Sequence, residues 1–394
     1  MEIKVVASTK LGYVCPTEDA LELTGKMANI CYTKRTAEDI FGEEADKSVA
    51  RAGRTLASNH HSVAEHVKYS FAISGIPKIL AMVLNNEGVY STSEKSARYT
   101  EMKPTEREQE KYDKWLKIFS SRLYEKYGDK FLAYHAKADQ PQKEVKTQIT
   151  KLAQENARYM ISVFTPTIMG HSLDTRQISY LCIWFERFVK SAEDTEFNKR
   201  LKVHMTEFIE QMKPYALPEI QDPKERSISL FDKRDNRNEF FDECYSTNYV
   251  GTFAQLAQAH RHRTLRYGMS FLEKPEFYVP FIIRDDELLT NEWLDDIKTL
   301  EDVFPQGMLV RINERGTYED FIQKCSERLC GCAQLEIAIQ SMGTLEKYLE
   351  NVKERNEEVY NILLPYSKGA RCMNGWKCVK PCVWGAKEAF TRKI

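Results

Sequence analysis

The sequence predicts a mixed chain of helices and short strands, arranged as two similar units in tandem. Three observations carry that reading. Apolar residues recur three and four apart through charged stretches such as "TEREQEKYDKWLKIFSSRLYEKYGDKF", "HVKYSFAISG" alternates as a strand does, and the order of signals before residue 217 returns after residue 239. With 394 residues, 42% of them hydrophobic and 29% charged, the chain has the composition of an ordinary globular protein and the length for two domains.

Taken in order, a helical pattern with few breakers runs through residues 17 to 75 and continues into "GIPKILAMVLNNEG", whose nearly continuous apolar run suits a buried helix. Within that span "HVKYSFAISG" reads as a strand. Residues 105 to 160 read as exposed amphipathic helices. The polar, proline-bearing "LPEIQDPKERSISLFDKRDNRNE", near residues 217 to 239, is the candidate linker, which puts the two units at 1–220 and 221–394. Beyond it, "NYVGTFAQLAQAHRHR" sets Phe253, Leu256, Ala257 and His260 on one helical face. "EFYVPFII" is an aromatic and β-branched strand or loop. "TYEDFIQKCSERLCGCAQLEIAIQSM" reads as one further long helix, matched in the first half by "TRQISYLCIWFERFVKS".

The formal net charge of -1 leaves no basic stripe for nucleic acid, so local cationic clusters point to a small anionic ligand. The N-terminus lacks the basic and apolar regions of a leader, and no run nears the roughly 18 apolar residues of a membrane span. A cytoplasmic protein without membrane contact is expected. The ten cysteines are scattered, which reads as reduced thiols. Cys372, Cys378 and Cys382 of "CMNGWKCVKPC" lack both a CxxC pair and a nearby His, so no metal is expected. Cys382 follows Pro381 as some nucleophilic cysteines do, but with no base around it a free thiol is the better reading.

Two polar clusters remain. Arg261, His262 and Arg263 stand side by side; cations near a helix C-terminus are favoured by its dipole, which would explain them blandly. Gln258, one turn before Arg261, adds an amide able to read a base edge beside a guanidinium able to grip an oxyanion. In "STSEKSARY", Glu94, Ser96 and Arg98 alternate, so that an extended loop would point a carboxylate, a hydroxyl and a guanidinium the same way.

The pieces "NHHSVAEHVKYSF", "EKSARY" and "RHR" resemble the flavin-dependent thymidylate synthases, whose signature is Arg-His-Arg, seven residues, Ser, one residue and Arg. The resemblance spans most of both halves, each laid on one family subunit, and divides the signature between them. In the first half Asn86, Glu87 and Gly88 replace the Arg-His-Arg, while Glu94, Ser96 and Arg98 match. The second half keeps Arg261, His262 and Arg263, but Ser270 comes one residue early and no Arg follows two positions on. Arg158 matches a nucleotide-holding arginine whose counterpart is Glu301, and Arg328 falls at the family's catalytic arginine, opposite Phe185. Asp174 and Arg176 match an Asn-x-Arg flavin motif, with Thr317 and Glu319 as counterparts; His60, Ser62 and Glu65 match a second flavin loop.

The resemblance implies an α+β fold: two tandem copies, each a small, mostly antiparallel sheet with long flanking helices, and a homodimer standing in for the family's tetramer. It implies transfer of a one-carbon unit from methylenetetrahydrofolate to C5 of dUMP, with FAD as cofactor and NADPH as reductant. Arg328 would be catalytic, its charge easing ionisation at N3 and enriching C5 in electron density. Gln258, Arg261, Glu94, Ser96, Arg98 and Arg158 would hold the nucleotide. His60, Ser62, Glu65, Asp174, Arg176, Arg261, His262, Arg263 and Gln323 would hold the flavin. Because each half keeps what the other lost, one composite site is expected, from halves of the same chain or of different chains. A hydroxymethylated product, UMP or dCMP as substrate, and a flavin-free nucleotide-binding scaffold stay open. The carboxylate of Asp174 in place of an amide favours the last.

Overall fold

The computed structural model describes residues 1–394 apart from 10–16, 32, 97, 99–101, 223, 233–237, 261–262 and 379–380. In chain order the elements are β1 (Glu2–Ser8), α1 (Thr17–Ile30), α2 (Ala37–Phe41), α3 (Ala45–Ala57), β2 (Lys68–Pro77), α4 (Lys78–Leu84), β3 (Ser91–Glu94), α5 (Glu106–Tyr134), α6 (Pro141–Ala157), β4 (Pro166–Asp174), α7 (Thr175–Ser191) and α8 (Glu196–Met212). They continue with β5 (Phe240–Phe241), β6 (Cys244–Thr252), α9 (Phe253–Ala259), β7 (Arg266–Phe271), α10 (Glu287–Lys298), β8 (Leu309–Thr317), α11 (Tyr318–Arg328), α12 (Leu335–Val352), α13 (Glu357–Leu363) and α14 (Gly385–Glu388). The chain divides into two compact units, one of Met1–Lys95 with Pro166–Ser229, the other of Ser96–Thr165 with Leu230–Ile394.

The first unit is built on an antiparallel sheet of order β1-β2-β4-β3. Tyr69, Phe71 and Ile73 alternate inward along β2, as the sequence pattern required. The strand ends the helical reading of residues 17 to 75: α1 and α3 are helical, but a 3-10 turn at His61–His66 and then β2 follow. At its far end the register shifts between Ser74 and Ile76, and Gly75 (φ 74°) supplies the left-handed residue there. Every residue of α4 is buried, as its apolar run implies. Part of the expected linker belongs to the core, since Leu217 and Ile220 pack with Ala28, Leu56, Val63 and Ala64.

The second unit has a sheet of order β5-β6-β8-β7, again antiparallel. Its α5 opens with a capping box between Thr105 and Glu108, and buries Tyr112, Trp115, Phe119, Leu123 and Phe131 along one stripe. Thus α5 hides a full apolar face while its charged face stays in water. Trp115 meets Trp293 of α10 edge-on at 4.9 Å and donates to Asp296 at 2.9 Å. "EFYVPFII" is loop, with one isolated bridge from Phe277 to Met308.

The expected single helix from Tyr318 breaks into α11 and α12. Leu329 leaves the helical region (ψ 67°), and a Cβ on Gly331 would lie 2.8 Å from Cys382 Sγ, so the chain turns where only glycine fits. The two sheets share one strand order, α4 and α9 each have seven residues, and β4 and β8 each have nine. The compact units nevertheless differ from the stretches 1–220 and 221–394, because α5 and α6, which lie between β3 and β4 in sequence, bury their stripes within the second unit.

Candidate functional site

Within the second unit, residues from both halves of the sequence meet around one amide. Gln334, buried at the N-terminus of α12, accepts through Oε1 from Arg158 Nη2 and from Gln258 Nε2, and donates through Nε2 to Tyr159 OH at 2.5 Å. Tyr159 passes the chain on to Glu336 Oε2 at 2.6 Å, and Thr252 closes it by donating to Glu336 from its hydroxyl (2.9 Å) and its N–H (3.0 Å). Arg328 at the end of α11 donates to the Gln258 carbonyl at 3.1 Å. Arg98 donates to Glu155 Oε2 at 3.0 Å and to the Cys332 carbonyl at 2.9 Å, and Arg158 Nε donates to the Glu155 carbonyl at 3.2 Å.

Local folding explains the placement. α9 begins at Thr252, whose side chain caps it, and ends at His260, so Gln258 sits in its last turn. Arg158 follows α6 on a stretch pinned by backbone bonds from Gln306 to Ile161 and from Gly307 to Tyr159. Burial pushes the Arg158 guanidinium below its ordinary range, and pushes Glu336 and Tyr159 above theirs. Gln258 Oε1 and Glu155 Oε1 are buried and have no hydrogen-bond partner among the described residues. A buried amide oxygen in that state is an acceptor waiting for an N–H, of the kind a pyrimidine offers at N3.

The expected flavin residues of the first unit gather at the 61–66 turn. Ser62 and His60 are exposed there, and Arg176 is ion-paired with Glu65 and lies 5.2 Å from the Tyr180 ring. Arg176 Nε is buried without a partner among the described residues, a donor that fits a diphosphate. Asp174 caps α7 by accepting from Gln177 N–H at 2.8 Å, as Thr317 caps α11, and burial raises its pKa. Asp and Asn serve that capping role equally well.

Residues 14–185 match the family model described as thymidylate synthase complementing protein. That segment is similar to the flavin-dependent thymidylate synthase family of enzymes. The match covers less than half of the chain. Two crystal structures of thymidylate synthase X from Helicobacter pylori with FAD and dUMP are similar, at 17% and 16% identity and TM-scores of 0.31 and 0.30. Each covers 56% of this chain, with 98% and 100% of its own length aligned. A UMP/dUMP methylase from Streptomyces cacaoi bound with 5-Br dUMP is 15% identical over 46% of this chain and 76% of its own, with a TM-score of 0.27. Likeness of that degree says nothing about individual residues here. No curated protein sequence matches the chain.

Of the residues that the resemblance singles out, Arg98, Arg158, Gln258 and Arg328 are brought together. Glu94 ends β3 in the first unit, where it is ion-paired with Lys78 at 2.5 Å. Ser96 Oγ accepts from the Arg98 N–H at 3.3 Å. Arg263 (φ 62°) and Gln323 are exposed in the second unit, and Arg261 and His262 lie outside the described residues. The counterpart positions in the first unit carry a different load. Glu87 accepts from the Ser229 hydroxyl at 3.0 Å, from its N–H, and from Arg226 at 2.9 Å, while Asn86 donates to Ser229 at 2.9 Å. The sequence did not mark Gln334, Tyr159 and Glu336 as members of this network. The one signal was the Ala-Gln step at 333–334, the first residues after the Cys-Gly-Cys break.

Among the described residues no group of three or more His, Cys, Asp or Glu is placed to hold a metal ion, and no helix is long and apolar enough to cross a membrane.

Proposed function

We propose that the protein methylates C5 of dUMP with methylenetetrahydrofolate as carbon donor, FAD as cofactor and NADPH as reductant, at one composite site per chain. The observation that supports this reading most is the meeting of Arg98 and Arg158 from the first half with Gln258 and Arg328 from the second, inside one compact unit of one chain. The tandem origin of the halves, each a family subunit, is part of the same proposal, supported by the shared strand order.

In this reading Gln258 orients the uracil through its unpartnered Oε1, and Arg98 and Arg158 face the phosphate. Arg328, held beside the Gln258 backbone, supplies fixed positive charge where N3 ionises, and that charge is worth more in the transition state than in the ground state. His60, Ser62, Glu65 and Arg176 of the first unit would hold FAD, which supplies the reducing equivalents when bound; the resemblance implies the same role for Arg261, His262, Arg263 and Gln323. A homodimer is the expected assembly.

The test is a flavin spectrum of the purified protein, followed by product mass after incubation with dUMP, methylenetetrahydrofolate and NADPH. A yellow protein giving a methylated product supports the proposal. A hydroxymethylated product, or turnover of UMP or dCMP alone, replaces its reaction or substrate. A colourless protein that FAD cannot restore replaces the enzyme with a nucleotide-binding scaffold.

A further inference from the structure

Three cysteines converge in the second unit on the loop that separates α11 from α12. The Cys332 N–H donates to Cys330 Sγ at 3.4 Å, and the missing side chain of Gly331 leaves room for Cys382 Sγ. Cys332 and Cys382 both line a cavity of about 340 Å³, whereas Cys330 is buried behind it. The cavity walls carry both signs of charge, with Arg98, Lys151 and Arg392 beside Glu144 and Glu155. Such a volume and lining suit a small zwitterionic molecule.

We propose that Cys382 and Cys332 form a thiol–disulfide exchange site for a low-molecular-weight peptide disulfide, with Cys382 attacking and Cys332 resolving. The thiolate of Cys382 attacks one sulfur of the small disulfide; that S–S bond breaks, and one thiolate leaves and takes a proton from solvent. Cys332 then gives its proton to solvent and attacks the Cys382 sulfur of the mixed disulfide, expelling the second small thiolate. Two protein thiols are oxidised to one disulfide, and one small disulfide is reduced to two thiols.

The local electrostatics agree with these roles. A hydrogen bond from the Cys332 thiol, joined by backbone N–H groups of Gly385 and Trp384, brings Cys382 down to about 6, while Cys332 itself is pushed up. The same thiol brings Cys330 down to about 5, but its one hydrogen serves one sulfur at a time, and only Cys382 opens on the cavity. Attack by a low-pKa thiolate followed by a protonated, adjacent resolving thiol is the arrangement exchange requires.

The cavity shares Arg98 with the proposed nucleotide site, but the test contains no nucleotide, so the two readings fail separately. The full-length protein is treated with oxidised glutathione, remaining thiols are alkylated, and peptides are mapped by mass. The expected product links the peptides of Cys332 and Cys382, and reduced glutathione reverses it. Cys332→Ser should stop at a glutathione adduct on Cys382, and Cys382→Ser should leave Cys332 unmodified. Cys330→Ser should still cross-link. Gly331→Ala, which removes no thiol but sets a Cβ 2.8 Å from Cys382 Sγ, should slow cross-linking, and iodoacetamide labelling of Cys382 should have its midpoint near pH 6. The proposal is overturned if exposed Cys31 or Cys244 reacts before Cys382, if the wild-type adduct persists without resolving, or if the cross-link runs through Cys330.

Discussion

Replacing Gln334 by Leu tests whether the amide is the hub of the buried network. The substitution keeps the approximate volume, so packing loss is small and the polar terms decide. Gln334 accepts from the charged Arg158, which is worth about 1.5–3 kcal/mol, and makes two neutral bonds, to Gln258 and Tyr159, worth about 1 kcal/mol each. Arg158 retains its bond to the Glu155 carbonyl and Tyr159 its bond to Glu336, so neither is wholly abandoned. The expected loss is therefore about 4 kcal/mol, a large share of a total stability of about 5–15 kcal/mol. Urea unfolding reads it directly: the midpoint falls while the slope, which reports exposed surface, stays as in the wild type. Gln334→Glu keeps both acceptor contacts but competes with Glu336 for the single Tyr159 O–H, and should fall between the two. A loss under about 1 kcal/mol for Gln334→Leu, the value of an exposed amide, would refute the hub.

Arg328→Ala should depress turnover strongly while dUMP affinity measured by titration changes less; parallel losses would reduce Arg328 to a binding group. Arg98→Ala and Arg261→Ala should each abolish activity, and a mixture of the two should recover none if each proposed site draws on one chain; recovered activity would assign the site to two chains. Glu87→Ala strands the Ser229 and Arg226 donors and should cost about 3 kcal/mol in a melt, while the folded variant keeps its kcat. Asp296 is pushed up by burial, but hydrogen bonds from Lys114, Lys111 and Trp115 outweigh this and leave its pKa lowered. The stability this carboxylate contributes is present above its unfolded pKa of about 3.9 and is lost as pH falls through the lower folded value. The gap in unfolding free energy between wild type and Asp296→Asn should accordingly close in acid, and a gap that is constant with pH would rule out the charge as its source.

Much of the fold was legible because it rests on periodicity. The alternation in β2, the buried run of α4 and the stripe of α5 each say which face turns inward, and each does so. What periodicity cannot say is where a helix must stop for a distant reason. The break between α11 and α12 depends on Gly331 meeting Cys382, a residue far along the chain, and no local pattern announces it. The same holds for the site. Gln258 and Arg98 were singled out by type and spacing and Arg158 and Arg328 by the resemblance, but nothing local marked Gln334, which joins two of them. A spacing of two fixes a side chain's direction in an extended strand but not which neighbour claims it, and Lys78 claims Glu94.

The passage of α5 and α6 into the second compact unit has a practical consequence for anyone dividing this gene product. Cutting after Ser229 yields a C-terminal piece deprived of Trp115, Phe119, Leu123 and Phe131, all fully buried in the intact chain. Its cavity walls would lack an entire side, and the N-terminal piece would display the orphaned stripe to water. Neither product alone should be soluble at high concentration, yet the two co-expressed should find each other and purify as one particle. The chain thus cannot be returned to two separate pieces by scission, for each fragment would serve as the other's chaperone.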